Sequence, residues 1–501
     1  MENALRVYNE TNRKLKAFGY ADFIISWDMQ TEAPLGADHS AEMAALSEMQ
    51  YALSTSDEYT GAIKTLYENR DKLDPVIAHE VRNAWENVEQ LKKIPMDEYV
   101  AFSSLTNEFY NVYVDAKRTN DFAKALPYYE KIVAYRRKYA KWLETDETKG
   151  YNVMLNDFER GLTTDDLDKF FSLLKSKLVP LIRKIGEKGQ MADYSFAAKD
   201  YPVAGQKKFQ DYLGGVIGFN NEYTVKKESE HPFTNGVCTT DVRITNHFRE
   251  NEFTRSIYSA IHEMGHGMYE LQCDKSLDKT MSGGGAGMAM HESQSRFLEN
   301  MIGRSKAFWE THFDELKRTF PEQLDGVTAK DLWLFVNKVE PSLVRTEADE
   351  LTYSLHIMVR YEMEKALLSG EIEAKDIPAK WNALYKEYLG IDVPNDTDGC
   401  LQDVHWAYGE FGYFPTYALG SAYAAQIYHA MSRDLDIDAE IKTGSFAGIE
   451  SWLKEHIHKY GASMDSRDIL KLATGEDFNP QYYVDYLVGK YSEIYGIEMN
   501  D

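Results

Sequence analysis

The stretch LTTDDLDKFFSLLKSKLVPLIRKIGEKG, residues 162–189, carries the reading of the fold. Its apolar positions Leu167, Phe170, Phe171, Leu174, Leu178, Leu181 and Ile185 recur every three or four residues, the period that lines one face of an α-helix. Thr164 is the expected N-cap, Asp165 and Asp166 suit the positive helix end, and Gly186 or Gly189 can stop the run. Pro180 is expected to kink or locally break it, because proline lacks an N–H and its ring crowds the preceding turn. The same period runs through the region from Met1 to about Lys149, as in Phe122, Leu126, Tyr129, Ile132 and Val133. No repeat of fixed period and no long linker interrupts the chain. The expectation is a mainly α protein with residues 1–501 in one large helical domain. The exception is 223–245, where TTDVRIT alternates with a period of two and YTVKKE precedes it across the turn-rich HPFTNG, which predicts a small β-hairpin or ribbon.

The 501 residues include 81 acidic and 56 basic side chains, a formal charge of −25. Such a field repels phosphate backbones and anionic headgroups, so neither nucleic acid nor a membrane is an expected partner. The three cysteines, Cys238, Cys273 and Cys400, form no CxxC pair, which speaks against a disulfide framework or thiolate zinc site and fits a reducing cytoplasm. The first residues carry no basic segment followed by an apolar run, and no stretch of about 18 apolar residues occurs, so signals for secretion and membrane spanning are missing.

The chemistry is concentrated in His262-Glu263-Met264-Gly265-His266. Histidines at i and i+4 share one helical face a turn apart, a spacing that suits two ligands of one metal ion. Glu263 lies about 100 degrees round the helix, where a carboxylate can reach a water at the metal without being a ligand. The preceding FTRSIYSAI offers Phe253, Ile257, Tyr258 and Ile261 to anchor this helix in the core. With 13 histidines in the chain, HExxH would arise by accident about 0.03 times. No third histidine follows in the HExxHxxGxxH manner, so a carboxylate ligand is expected from another helix. Glu292, 26 residues beyond His266 in a stretch of resumed helical period, is that ligand, with Glu270 a rival on the His266 face. Between them, Gly283 to Gly287 lacks a following GK[ST] and reads as close backbone packing near the metal rather than a phosphate loop. Two imidazoles, one carboxylate and a water make a catalytic site with an open position.

At this point the sequence resembles the carboxypeptidase Taq family of metallocarboxypeptidases. The family's HPF matches His231-Pro232-Phe233, its DxRxT matches Asp241 to Thr245, and HEMGH is followed by its HES-Q at His291 to Gln294. Its [IV]RxxAD matches Val344 to Asp349, and its GxxQDxHW matches Gly399 to Trp406. These six motifs keep one order over residues 231–406. The resemblance implies a large helical zincin-like fold with a small β ribbon beside a deep substrate groove, one wall or cover of it formed by the helices of about 1–160. It also implies a homodimer and removal of C-terminal residues from peptides with broad specificity. It places one divalent ion, zinc or in some members cobalt, on His262, His266 and Glu292, with Glu263 as base.

The remaining motifs have physical readings of their own. On a strand, Asp241, Arg243 and Thr245 share one face and Val242 and Ile244 the other, so the polar trio, with His231 nearby in sequence, can face a cleft or form a structural network. Arg345 and Asp349, four apart on an expected helix, can pair with each other. Alternatively Arg345 binds the substrate's terminal carboxylate, whose geometry a guanidinium matches in a bidentate way, with Gln402 and His405 completing the site as donors. Trp406, Tyr408, Phe411, Tyr413 and Phe414 read as core, with an aromatic patch lining the peptide groove as the alternative, and Tyr417 as a donor to the oxyanion of the tetrahedral intermediate. Two other functions stay open: an endo-acting oligopeptidase with the same metal core, and a non-catalytic metal-stabilised peptide-binding scaffold.

Overall fold

The computed structural model describes residues 1–498 apart from 35, 190 and 221. It is mainly helical with one small sheet. The 162–189 stretch forms an α-helix over Thr164–Lys188, and Leu167, Phe170, Phe171, Leu174, Leu178, Leu181 and Ile185 are all buried. Full burial of such a side chain contributes roughly 1.5–3 kcal/mol, so this face rather than intrinsic propensity holds the helix. The cap is Thr163, not Thr164. Thr163 Oγ1 accepts the Asp166 N–H at 3.2 Å while Asp166 Oδ2 accepts the Thr163 N–H at 3.3 Å. The Thr164 N–H is taken by Asn152 Oδ1 at 2.8 Å, which moves the start by one residue. Nor does Pro180 break the helix. Pro180 and Ser176 both lie on the exposed side, where water can serve the carbonyl that proline leaves unpaired while the apolar face continues above and below.

The chain divides into two compact units, each built from three segments: Met1–Leu91, Tyr194–Lys330 and Ala430–Asp477 in the first, Lys92–Asp193, Asp331–His429 and Phe478–Asp501 in the second. In the first unit, the helix Phe253–Gln272 packs on one side against the sheet and on another against the helix Met288–Arg296. Phe253, Ile257, Tyr258 and Ile261 are its buried anchors. The helices Glu2–Thr31 and Asp57–Tyr67 of the same unit share a cluster that includes Tyr8, Ile63 and Leu66. In the second unit, the helix Glu350–Ser369 is buried nearly all round, the pattern of a helix at the centre of a body.

The sheet comprises β1 (Thr224–Glu228), β2 (Thr234–Cys238) and β3 (Asp241–Asn246) in the order β1-β3-β2. The expected hairpin exists, but its first arm is β2, drawn from the segment of turn-rich composition. YTVKKE forms β1 and runs parallel to β3. The reason is packing: the alternating Val242 and Ile244 are fully buried and make β3 the central strand, which needs a partner on each edge.

One buried group in the first unit makes stability depend on pH. Both oxygens of Glu450, on the helix Ala447–His456, lie buried without a hydrogen-bond partner among the described residues. Burial pushes its carboxyl up to about 8 from an ordinary 4.5. An unfolded chain would ionise this group near 4.5 while the folded one keeps it protonated, so stability is full below 4.5 and is lost progressively as pH rises through 8. Glu450→Gln keeps the shape and removes the titration. We expect it to be more stable than the parent at pH 8, on the order of a few kcal/mol, with the gap closing towards pH 5. Denaturant titrations at the two pH values check this, and parallel pH profiles for both proteins would refute it.

Candidate metal centre

The HEMGH segment sits within the helix Phe253–Gln272, so both histidines project from one face as their spacing requires. Gly265 decides how close the next helix comes. A Cβ there would lie 2.6 Å from Ser295 Cα and 2.8 Å from Gln294 O, so only glycine lets the backbones of Phe253–Gln272 and Met288–Arg296 meet. That crossing brings Glu292 to the histidines. Glu292 Oε2 lies 3.8 Å from His262 Nε2 and 3.6 Å from His266 Nε2, and one ligand atom from each residue falls within 4.8 Å of the others. Three donors facing one point, two neutral-capable nitrogens and one anionic oxygen, are a chemical fit for a divalent transition ion.

Each member of the trio is held from behind. His262 Nδ1 is 3.0 Å from Glu299 Oε2, and Glu299 also accepts from Arg296 Nη1 at 3.2 Å and Arg304 Nη2 at 3.1 Å. Glu299 stands in a π-helical turn, Phe297–Ile302, that continues the Glu292 helix. Arg296 Nε donates to Glu292 Oε1 at 2.7 Å, which turns Oε2 towards the histidines. His266 Nδ1 meets His291 Nδ1 at 2.7 Å, and His291 Nε2 meets Glu270 Oε1 at 2.7 Å. Glu270, the rival ligand, is therefore engaged one residue away from the trio. Thr234 Oγ1 donates to Glu263 Oε2 at 2.6 Å and also contacts the Glu263 carbonyl at 2.9 Å.

The electrostatics follow these contacts. Burial raises the Glu292 carboxyl, but Arg296 and the two imidazoles outweigh it and hold the group well below the usual carboxylate range. Glu299 is likewise raised by burial and carried far below by Arg296, His262 and Arg304. Burial is also the largest influence on His266, bringing it down to about 4, so its imidazole is neutral at physiological pH, as a ligand must be. Burial pulls His262 down as well, yet Glu292 and Glu299 overcome it and the net direction is up. In Glu263 burial wins over His262 and Thr234, and the carboxyl is raised.

The other expected residues divide into two groups. His231 is exposed. Asp241 and Arg243 pair with each other in bidentate fashion at 2.7 and 2.8 Å, and Thr245 is buried, with Oγ1 accepting the Phe233 N–H at 3.0 Å. The DxRxT threonine thus pins the HPF segment to β3, and the next residue, Thr234, reaches Glu263. Sequence reasoning missed Thr234, Glu299, His291 and Arg296, although His291 lies inside a motif, Thr234 directly follows one, and Arg296 and Glu299 come within five residues of the end of HES-Q.

In the second unit, Arg345 does not pair with Asp349. Residues Arg345–Glu347 form a single 3-10 turn, and Asp349 caps the helix Glu350–Ser369 by accepting the N–H groups of Leu351 and Thr352. Arg345 instead donates to Asp403 from Nε at 3.2 Å and Nη2 at 2.8 Å, leaving Nη1 with no acceptor among the described residues. Burial lowers the guanidinium and Asp403 more than restores it, so Arg345 stays charged. Gln402 is committed inside the protein and is no free donor: Oε1 accepts the Arg345 N–H at 2.9 Å, and Nε2 lies 3.0 Å from both Leu343 O and Tyr385 OH. Burial, aided by Arg360, brings His405 down to about 3. Tyr417 stacks its ring 5.1 Å from the Arg345 guanidinium, with its hydroxyl 3.4 Å from that of Tyr413. Trp406, Phe411 and Phe414 are core as expected, whereas Tyr408 is 47% exposed and stacks on Tyr110.

The profile of the carboxypeptidase Taq (M32) metallopeptidases matches residues 7–491. The chain belongs to this family. Carboxypeptidase 1 of Bacillus subtilis is 38% identical over 486 residues, spanning 96% of this chain and 97% of its own. Thermostable carboxypeptidase 1 of Pyrococcus furiosus is 34% identical over 492 residues, with 96% of both chains covered. The crystal structure of an M32 carboxypeptidase from Deinococcus radiodurans superposes with a TM-score of 0.94 at 32% identity, over 99% of this chain and 100% of that one. Membership of the carboxypeptidase Taq family makes the protein a metal-dependent carboxypeptidase. No helix among the described residues is long and apolar enough to cross a membrane.

Proposed function

We propose that this carboxypeptidase removes residues one at a time from the free C-terminus of peptides, with broad specificity, using one zinc ion per chain on His262, His266 and Glu292, cobalt being the alternative. The convergence of those three donors beside Glu263 carries the reading. When bound, the ion supplies a Lewis acid for the scissile carbonyl and lowers the pKa of water. Glu263 takes the proton from the attacking water and delivers it to the leaving nitrogen, so one water is consumed and the C–N bond breaks. Thr234 fixes the rotation of its carboxylate.

Arg345 takes the terminal carboxylate through the edge that Asp403 leaves free. Gln402 holds the turn that presents it, and neutral His405 contributes a hydrogen bond rather than a charge. Burial keeps the Tyr417 hydroxyl protonated, so it can donate to the oxyanion, a contribution of about 3 kcal/mol to the barrier. His231 and the Asp241–Arg243 pair contact the peptide. The three unpaired cysteines fit a cytoplasmic protein, and we assign the chain to a homodimer, which a sedimentation mass of one chain would exclude.

A digestion time course followed by mass spectrometry tests this reading. We expect a ladder of single-residue losses from the C-terminus that a chelator abolishes, and about one divalent ion per chain that is lost in the His262→Ala, His266→Ala double variant. Internal fragments would establish the endo-acting alternative.

A further inference from the structure

Glu270 and His291 have no part in the chemistry above, yet both are built into the back of the centre. Glu270 follows His266 by one helical turn and is only 9% exposed. Its Oε1 accepts from His291 Nε2 at 2.7 Å and from the Gly285 N–H at 2.9 Å, and His291 Nδ1 lies 2.7 Å from His266 Nδ1. Two nitrogens at that distance share one proton between them. If His266 is to offer Nε2 as a lone pair, its own proton sits on Nδ1 and points at His291. His291 then receives at Nδ1 and carries its proton on Nε2, where Glu270 accepts it. With His291 as a neutral imidazole and Glu270 as a carboxylate, one arrangement of protons satisfies all three groups, and it is the one that leaves His266 Nε2 free.

The surroundings exist to seat this pair. A Cβ on Gly236 of β2 would lie 2.5 Å from Glu270 Oε2, and one on Gly285 would lie 2.7 Å from His291 Cδ2. Glycine at both positions is the condition for Glu270 and His291 to stand where they do, which gives a physical reason for Gly285 in the glycine-rich segment 283–287. The two arms behind the histidines also differ in charge. The Glu299 carboxylate behind His262 is shared with two guanidinium groups, whereas Glu270 forms no ion pair with lysine or arginine among the described residues. Its negative charge is directed along the two imidazoles.

We propose that Glu270 and His291 are positioning residues for the metal: the carboxylate–imidazole pair sets the tautomer and orientation of His266 and raises the affinity of its Nε2 for the ion. This rests on the reading of His266 as a ligand. The test is the dissociation constant for zinc, measured by competition with a chromophoric chelator, for the full-length wild type, Glu270→Gln and Glu270→Ala. Loss of such a supporting partner typically weakens metal binding about 10–100-fold. We expect Glu270→Gln, which keeps an acceptor but loses the charge, near the lower end and Glu270→Ala near the upper. The cobalt-loaded variants should show displaced visible absorption bands, while the metal-free proteins melt within a few degrees of metal-free wild type. Should Glu270→Ala fail to fold, the isosteric Glu270→Gln carries the test, with His291→Gln as its companion. Zinc affinities equal to wild type in these variants would overturn the proposal and leave the metal centre standing. A wild type that binds neither zinc nor cobalt would remove both.

Discussion

Glu263→Gln is expected to hold its ion at wild-type stoichiometry and to lose two to four orders of magnitude in kcat, because general base catalysis is worth about 10²–10⁴-fold. The amide introduced by that substitution would keep the hydrogen bond to Thr234, since its oxygen can replace Oε2, so the fold and the neighbouring histidines stay in place. Glu292→Gln should behave in the opposite order. It exchanges an anionic donor for a neutral one and leaves Arg296 facing a neutral oxygen in place of the carboxylate it now holds at 2.7 Å. Metal binding should weaken first, with activity partly restored by added ion. Elemental analysis and single-substrate kinetics on the two variants separate the roles. Near wild-type turnover in Glu263→Gln would remove Glu263 as the base.

How much of this centre could be read beforehand depends on how local each relationship is. His262 and His266 belong to one helix, and their convergence follows from a spacing of four. Glu292 was legible through the return of helical period after the glycines and through the family motif, but the crossing that delivers it depends on Gly265, and a sequence does not say which glycine marks a contact between helices. Glu299 escaped because it reaches His262 from a π-helical turn, and α-helical counting does not anticipate one. Thr234 escaped because it lies in a segment with turn composition that became the edge strand β2. The Arg345–Asp349 pair shows the converse error. A spacing of four fits an ion pair on a helix, but Asp is also a favoured N-cap, and here Asp349 begins the helix that the spacing would place it inside.

Free-acid peptides are expected to be cleaved about 10–100-fold more efficiently, in kcat/KM, than the same peptides amidated at the C-terminus. The size follows from the state of Arg345. Asp403 already neutralises the guanidinium in the free protein, so an amidated substrate does not strand a buried cation. What it loses is a charge-assisted hydrogen bond to the free edge of the fork, worth about 1.5–3 kcal/mol, and each 1.4 kcal/mol is tenfold. Arg345→Ala should collapse the preference. It also strands Asp403, whose side chain is 9% exposed, and breaking a buried pair costs about 3–5 kcal/mol of stability. The acid-to-amide ratio is therefore the quantity to follow, because loss of folded protein lowers both rates alike. Asp403→Asn supplies the complementary case: the guanidinium keeps its charge and gains freedom to engage the substrate, so the preference should persist or grow even where stability falls. If Arg345 served only to hold Asp403 and the 404–406 turn, both substitutions would slow the two substrates equally. An unchanged ratio in Arg345→Ala would thus take Arg345 out of substrate recognition, whereas equal cleavage of acid and amide by the wild type would show that this enzyme does not recognise the free carboxylate of its substrate.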